Sequence, residues 1–259
     1  MLDEIVMGKQ QEVEAAKVRL PLEDLKERVA HHLAERSFRQ AVHVPGKLSL
    51  IAELKRKSPS RGMLRERFDP VSLAQSLQEA GAGALSVLTD ERYFGGHLDF
   101  LRDAKQFTEI PVLRKDFIVD PYQIYEAAFY EADAVLLIVR ILSEEALAQC
   151  LQAAGRLGIE PLVEVHAEPE LKAALRAGAS VIGINHRDLR TFTMDRGLSD
   201  RLVPKIPAGK TIVAESGIQT AEDVAQMKRL GVHAVLIGEA LMTAPDPAAK
   251  VHELFAGTW

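Results

Sequence analysis

Cysteine is nearly absent from this sequence, since Cys150 is the only one among 259 residues. A single cysteine excludes an internal disulfide and any metal site built from several cysteines, so we expect Cys150 to be a small buried side chain on a helix. No apolar run approaches the roughly 18 residues that cross a bilayer, and the first residues lack the basic and apolar segments of a signal peptide. The sequence therefore predicts a cytoplasmic protein without a membrane partner.

An excess of positive charge is also absent. The chain has 32 Lys and Arg residues against 37 Asp and Glu residues, which gives a formal net charge of -5. Nucleic-acid binding needs a basic face, so no nucleic-acid partner is expected. The eight histidines show no metal-ligand spacing, and no Gly-x-Gly-x-x-Gly follows the first apolar run to indicate a dinucleotide fold. Neither a metal site nor a dinucleotide site is predicted.

What the chain does have is a repeat of short apolar runs and longer amphipathic segments from Leu48 onward. Runs that are apolar throughout indicate strands buried on both faces, hence a parallel sheet covered by helices. Eight such units predict an α/β fold of the (β/α)8 TIM-barrel type, with a doubly wound open sheet as the alternative. The predicted strands are 48–54, 84–88, 111–113, 134–139, 161–165, 180–184, 211–214 and 234–237.

The first 47 residues differ from the rest, because they contain helical spacing of apolar residues without an apolar run. They predict two or three amphipathic helices lying across one end of the barrel. We expect a single domain over 1–259, with a helical extension at 1–47 and the barrel at 48–259.

Charged and amide side chains stand where the predicted strands end. Glu53, Lys55 and Lys57 alternate with other residues, so they share one face if the first strand continues through Lys57. A solvated charge run is the simpler interpretation of such a segment. The apolar residues before Glu53 favour a carboxylate that enters the barrel mouth from a buried stem and needs the lysines as partners.

Three further strand ends carry the same signal. Lys115 could protonate a carbonyl or hydroxyl, form a Schiff base or hold an anion. Glu164 is a single charge in an aliphatic strand, where burial disfavours a purely structural role. Asn185 and Arg187 share a face, and the arginine could clamp a carboxylate or phosphate. Active sites of such barrels lie at the carboxyl ends of the strands, so these residues predict one shared site.

The last two units predict a phosphate site. Ser216 and Gly217 follow the seventh strand and Gly238 follows the eighth, where backbone N–H groups can approach an anion. Lys57 could supply the countercharge, and simple turn glycines are the alternative. Phe94 and Phe117 could offer aromatic surface near the mouth, although loop packing is the commoner role for such residues.

These segments together resemble the indole-3-glycerol phosphate synthase family of tryptophan biosynthesis. The resemblance covers nearly the whole chain and depends on Ile51–Ser60, Leu113–Ile118, Glu164, Ile184–Leu189, Ala214–Ile218 and Ile237–Glu239. The Lys-x-Ser-Pro-Ser segment is its most specific part, whereas the Ser-Gly and Ile-Gly pairs occur in many phosphate-binding barrels. His186 departs from the family, which usually has Asn or Ser there.

The resemblance implies a carbon-carbon lyase that converts 1-(2-carboxyphenylamino)-1-deoxyribulose 5-phosphate to indole-3-glycerol phosphate, with loss of CO2 and water. It implies no cofactor and no metal, a small phosphorylated substrate as partner, and a monomer or weak homo-oligomer. The catalytic residues it implies are Glu53, Lys55, Lys115, Glu164, Asn185 and Ser216. The substrate-binding residues it implies are Lys57, Ser58, Phe94, Phe117, Arg187, Glu215, Gly217, Gly238 and Glu239.

Two other functions fit part of the pattern. An isomerase or aldolase-type phosphate barrel shares the lysines at strand ends and the phosphate loops. A catalytically silent binder of phosphorylated metabolites shares the loops and Arg187, but would not need two carboxylates that point inward.

Overall fold

Eight parallel strands close into a barrel in this computed structural model, which describes all residues from 1 to 259. The barrel strands are β1 (Ser49–Leu54), β4 (Ala84–Leu88), β5 (Val112–Lys115), β6 (Ala134–Ile138), β7 (Glu160–Val165), β8 (Val181–Asn185), β9 (Thr211–Glu215) and β10 (Ala234–Ile237), and a separate antiparallel hairpin, β2 (Lys57–Ser58) with β3 (Gly62–Met63), follows β1. Around the barrel the strands follow the order β1-β10-β9-β8-β7-β6-β5-β4. The predicted (β/α)8 barrel is confirmed and the open sheet is excluded.

Helices fill the connections between the strands, and many begin at a side chain that caps the helix. Asp69 accepts a hydrogen bond from the Val71 N–H, and Thr220 forms a reciprocal capping box with Asp223. None of the helices combines the length and apolar composition that crossing a membrane requires. After the barrel's first strand they are α4 (Pro70–Glu79), α5 (Glu91–Phe94), α6 (Asp99–Gln106), α7 (Tyr122–Phe129), α8 (Glu144–Leu157), α9 (Glu168–Arg176), α10 (Leu198–Leu202), α11 (Ala221–Arg229), α12 (Glu239–Met242) and α13 (Pro247–Phe255), with 3-10 turns at Val139–Ile141 and Val203–Lys205.

Strand side chains alternate between two apolar cores. Leu50, Ala52 and Leu54 belong to the outer core between the barrel and its helices, whereas Ile51 lies in the inner core. Because successive side chains point to opposite faces of a strand, Glu53 continues the inward set. The same alternation directs the last inward residue of each of several strands into the mouth. Cys150 is buried in the outer core on α8, as predicted.

The N-terminal extension reaches both ends of the barrel rather than one. It consists of α1 (Leu2–Arg19), α2 (Leu22–Arg28) and α3 (Phe38–Val42). Lys9 of α1 lies 3.1 Å from both Asp90 and Asp116, two residues that follow the carboxyl ends of β4 and β5. At the opposite end, the Arg39 N–H of α3 donates to Glu160 at the start of β7 over 2.8 Å. The prediction of one end was wrong, because α2 packs along α7 on the outside of the barrel and carries the chain between the ends.

Trp259 packs against the amino-terminal end of the barrel. Its indole Nε1 donates to the Leu48 carbonyl over 3.0 Å, and its ring stacks on Phe255 with ring centroids 4.3 Å apart. The ring also lies against Gly81, whose φ of 101° is in the left-handed region and where a Cβ would come within 2.7 Å of the indole. Glycine is therefore required at this position, and the only tryptophan lies far from the barrel mouth.

Candidate active site

A cavity at the carboxyl ends of the barrel strands brings together every predicted site residue except Lys57. The inward strand-end positions Glu53, Lys115, Glu164, Asn185 and Glu215 form its base. Loop residues form its wall, and the predicted members among them are Lys55, Ser58, Phe94, Phe117, Arg187, Ser216, Gly217, Gly238 and Glu239.

Lys57 does not point into this cavity, so the predicted alternation through Glu53, Lys55 and Lys57 was wrong at its last member. Strand β1 ends at Leu54 and Lys57 belongs to the hairpin. Its ammonium group donates to the Arg92 carbonyl over 2.8 Å. Alternation of faces applies only within a strand, so it could not extend to Lys57, whereas the buried Ser58 does line the cavity.

Buried carboxylates and lysines alternate across the base of the cavity. Lys55 Nζ lies 2.5 Å from Glu53 Oε2. Lys115 Nζ lies 3.7 Å from Glu164 Oε2 and 3.7 Å from Glu215 Oε2. Because an isolated buried charge is costly, these lysines are what permits three carboxyl groups to occupy one apolar barrel.

The same arrangement shifts the pKa values of the two central carboxyl groups in opposite directions. Burial and the charge of Glu164 raise the pKa of Glu215 to about 8. Burial alone would also raise the pKa of Glu164, but Lys115 and His166 outweigh it and lower this pKa to about 2. Burial lowers the pKa of Lys115, and the surrounding carboxylates outweigh it and raise this pKa above its ordinary value. Glu164 is therefore the more readily ionised of the two carboxyl groups, and Lys115 keeps its proton at neutral pH.

The loops after β9 and β10 are shaped by their backbones. Ser216 and Gly217 have φ angles of 66° and 77°, so two consecutive residues adopt the left-handed conformation directly after β9. A Cβ on Gly238 would lie 2.9 Å from the Glu53 carboxyl carbon and would overlap the carboxylate itself. Only glycine at Gly238 leaves room for Glu53 in its observed position.

The rim of the cavity has a cationic and an aromatic side. Arg187 lies 3.4 Å from Glu239, which also contacts Arg61 at 3.1 Å. Phe94 and Phe117 face the cavity together, with ring centroids 6.1 Å apart. An anionic group and an aromatic ring can thus be held on different sides of one opening.

His186, which departs from the resemblance, supports the loop after β9 from beneath. Its Nδ1 lies 2.9 Å from the Ser216 carbonyl and its Nε2 lies 2.7 Å from Ser199 Oγ. Burial lowers the pKa of His186, so the ring is neutral at neutral pH, with Nδ1–H donating to the carbonyl and Nε2 accepting from the hydroxyl.

Sequence reasoning missed two groups of residues around the site. His166 lies behind Glu164, with Nε2 3.2 Å from Glu164 Oε1. Its position two residues beyond Glu164 was a signal, since side chains at that spacing share a face. Lys9 contacts the buried Asp90 and Asp116 beside the mouth, and its signal was a charged residue in the buried row of α1.

The fold and the cavity define a barrel enzyme with a centre of buried lysines and carboxylates at the carboxyl ends of its strands. The indole-3-glycerol phosphate synthase family model matches residues 2–254. A protein of that name from Roseiflexus castenholzii (strain DSM 13941 / HLO8) is 46% identical over 262 residues, covering 98% of this chain and 97% of the relative. One from Dehalococcoides mccartyi (strain CBDB1) is 46% identical over 258 residues, covering 98% and 99%. The chain therefore belongs to the indole-3-glycerol phosphate synthase family, whose members are carboxy-lyases.

Solved structures share the fold at much lower sequence identity. The 3-hexulose-6-phosphate synthase from Salmonella typhimurium superposes with a TM-score of 0.63 at 17% identity, covering 80% of this chain and 96% of that chain. Thiamine phosphate pyrophosphorylase from Pyrococcus furiosus gives a TM-score of 0.61 at 18% identity, covering 84% and 96%. These likenesses support the barrel fold alone.

Proposed function

We propose that this chain converts 1-(2-carboxyphenylamino)-1-deoxyribulose 5-phosphate to indole-3-glycerol phosphate. The observation that carries the proposal is the position of Lys115 at the base of the mouth, where its Nζ lies 3.7 Å from a carboxyl oxygen of Glu164 and 3.7 Å from one of Glu215. Membership of the family supplies the substrate class.

Ring closure forms the new carbon-carbon bond and needs a proton donor. The aromatic carbon that bears the carboxylate attacks the ketone carbon, and the ketone oxygen takes a proton as it becomes a hydroxyl. Lys115 suits this role because the nearby carboxylates keep it protonated. Glu53 is placed to stabilise the positive charge that develops on the substrate nitrogen, and its pKa is lowered because Lys55 and Lys115 outweigh the effect of burial.

Two losses complete the reaction. Breaking the bond to the carboxyl carbon releases CO2 and leaves its electron pair in the ring system. Departure of the hydroxyl as water then needs a second acid and the removal of a proton. The sequence left Lys55 and Glu164 open as that acid. Glu164 is ionised at neutral pH, so it suits the base, and Lys55 is the stronger candidate for the acid.

Substrate groups would be held by the rim of the cavity. Arg187 can exchange its contact with Glu239 for the substrate carboxylate, and Asn185 projects from the end of β8 to orient the substrate. The left-handed loop at Ser216 and Gly217, together with Gly238, offers backbone N–H groups for the phosphate. Phe94 and Phe117 would contact the aromatic ring. A cytoplasmic location, a monomeric or weakly associating state and a single domain over 1–259 remain predictions.

The test is turnover of the substrate in EDTA, followed by indole absorbance and fluorescence, with the wild type beside Lys115→Ala. We expect stoichiometric indole product from the wild type and a kcat about 10²- to 10⁴-fold lower in the variant, with a much smaller change in KM. Weaker binding with unchanged turnover would remove Lys115 from the acid role.

The same assay separates the two alternatives. Tight binding of the substrate without turnover would indicate a silent binder. Covalent trapping of Lys115 by borohydride in the presence of substrate would indicate Schiff-base chemistry of the aldolase type, because an acid that only transfers a proton forms no reducible bond.

A further inference from the structure

We propose that His166 is a positioning residue for this reaction, which holds Glu164 in place from the side opposite Lys115 and connects it to the barrel surface. The inference rests on the proposed function, because it concerns the carboxylate assigned there as the base. His166 acts through Glu164, since its ring lies behind the cavity and does not line it.

The two oxygens of Glu164 face two different cationic side chains. Oε2 lies 3.7 Å from Lys115 Nζ, and Oε1 lies 3.2 Å from His166 Nε2. Lys115 is at the same 3.7 Å distance from Glu215, so its charge is shared between two carboxyl groups. His166 contacts only one of them and therefore distinguishes Glu164 from Glu215.

The other ring nitrogen of His166 faces a second carboxylate. Nδ1 lies 3.2 Å from Glu170 Oε2 at the start of α9, and the His166 backbone N–H donates to the same oxygen over 2.7 Å. Arg140 donates to Glu170 Oε1 over 2.8 Å and to Asp188 over 2.5 Å. The charges therefore alternate in sign from the buried Glu164 through His166, Glu170 and Arg140 to Asp188, whose side chain is 33% exposed.

A carboxylate on each side makes the doubly protonated ring the stable form. Burial alone would lower the pKa of His166, but Glu164 and Glu170 outweigh it and raise this pKa to about 9. The charged ring then donates from Nδ1 to Glu170, and its Nε2 faces Glu164 as an ion pair that is not aligned as a hydrogen bond. Without it, Glu164 would lose one of the two cations that favour its ionised form, and the difference in pKa between Glu164 and Glu215 would narrow.

The first experiment follows the His166 ring by NMR titration and does not depend on turnover. We expect His166 to titrate near 9 in the wild type, and its pKa to fall by about 1 or more when Glu170→Gln removes one of its two facing charges. Titration near the ordinary value of about 6.5 in the wild type would overturn the proposal.

The second experiment measures kcat and KM against pH for His166→Ala, His166→Gln and Glu170→Gln. We expect His166→Ala to lower kcat about 10- to 100-fold with little change in KM, and His166→Gln, which retains a donor, to recover part of the loss. The alkaline limb of the wild-type profile should lie near the pKa of His166 and move to lower pH in Glu170→Gln. His252→Ala, at an exposed position on α13, is the control.

The outcomes separate this inference from the proposed function. If the wild type turns over the substrate and both His166→Ala and His166→Gln have the same kcat and the same pH profile as the wild type, the inference is overturned and the proposed function stands. A wild type that is inert towards the substrate, with His166 titrating near 9 and responding to Glu170→Gln, would overturn the proposed function and support the coupling of His166 to Glu164. If His166→Ala does not fold, the kinetics of His166→Gln and the titration of His166 in the wild type test the inference instead.

Discussion

Replacing Lys9 by methionine should destabilise the protein much more than the same change elsewhere on α1. Lys9 is only 6% exposed and lies 3.1 Å from Asp90 and Asp116, which are themselves almost fully buried. Methionine keeps the apolar stem and removes the charge. Removing one partner of a buried ion pair costs about 3 to 5 kcal/mol, because the other partner stays buried without compensation.

The local contacts place the expected loss at the lower end of that range. Asp116 retains Arg114 at 3.1 Å and the Thr89 hydroxyl at 2.6 Å. Asp90 retains only the Tyr93 N–H at 2.7 Å, on its other oxygen. One carboxylate is therefore left largely uncompensated, and we expect a loss of about 3 kcal/mol, or about 6 to 12 °C in Tm at 2 to 4 °C per kcal/mol.

Urea unfolding followed by circular dichroism would measure the change, with Lys17→Met as the matched control. Lys17 also pairs with two carboxylates, at 2.9 and 2.7 Å, but is 29% exposed, so its loss should cost at most about 1 kcal/mol. Asp90→Asn in the Lys9→Met background should recover stability, because it removes the uncompensated charge.

The pH dependence gives a second check. Burial raises the pKa of Asp116, but Lys9 and Arg114 outweigh it and lower this pKa to about 2. The stability that Asp116 contributes is therefore present above its unfolded pKa of about 3.9 and is lost as pH falls through about 2. Without Lys9 the folded pKa rises, so the gap in unfolding free energy between wild type and variant should narrow as pH falls from about 4 towards about 2. Equal losses in the Lys9 and Lys17 variants, or a gap that does not narrow, would refute this reasoning.

Three further predictions concern the cavity. Burial and Glu164 raise the pKa of Glu215 to about 8, so its contribution to stability is fully present below its unfolded pKa of about 4.3 and is lost as pH rises through about 8. The wild-type Tm should therefore fall as pH rises from about 4 to about 8, and a Glu215→Gln variant with an equal fall would contradict this. Gly238→Ala should displace the Glu53 carboxylate and lower kcat about 100-fold, whereas Gly155→Ala, in open space on α8, should leave kcat unchanged in the same assay. Lys57→Ala should leave KM within about two-fold, because Lys57 contacts the Arg92 carbonyl outside the cavity; a KM more than about 10-fold higher, with unchanged kcat, would restore Lys57 to the phosphate site.

The parts of the fold that depend on local pattern could be predicted from the sequence. Apolar runs predicted the eight barrel strands, and β4 and β10 begin and end at the predicted residues. Alternation within a strand placed Glu53 inward, because Ile51 belongs to the inner core. The family resemblance is confirmed over residues 2–254.

The parts that depend on where a strand stops or on distant contacts could not be predicted in the same way. Alternation failed at Lys57 because the chain leaves β1 after Leu54. The prediction that the extension lies across one end was wrong because Lys9 and Arg39 contact residues at opposite ends of the barrel. The opposite pKa shifts of Glu164 and Glu215 depend on the proximity of both to Lys115, which lies on another strand, and no spacing along the chain expresses that proximity.

The contact of the extension with both ends of the barrel has a consequence for the order in which the protein assembles during synthesis. Arg39 of α3 contacts Thr211, a residue 172 positions later in the chain. Phe38 and Val42 are fully buried in the finished protein and belong to the inner core. Strands β1 and β4, which contact α3, follow it closely in the chain, but Val213 and Leu236 of the same core are made near the end of synthesis. The inner core around α3 is therefore completed only after the last strands leave the ribosome, and contacts of such long sequence separation slow folding.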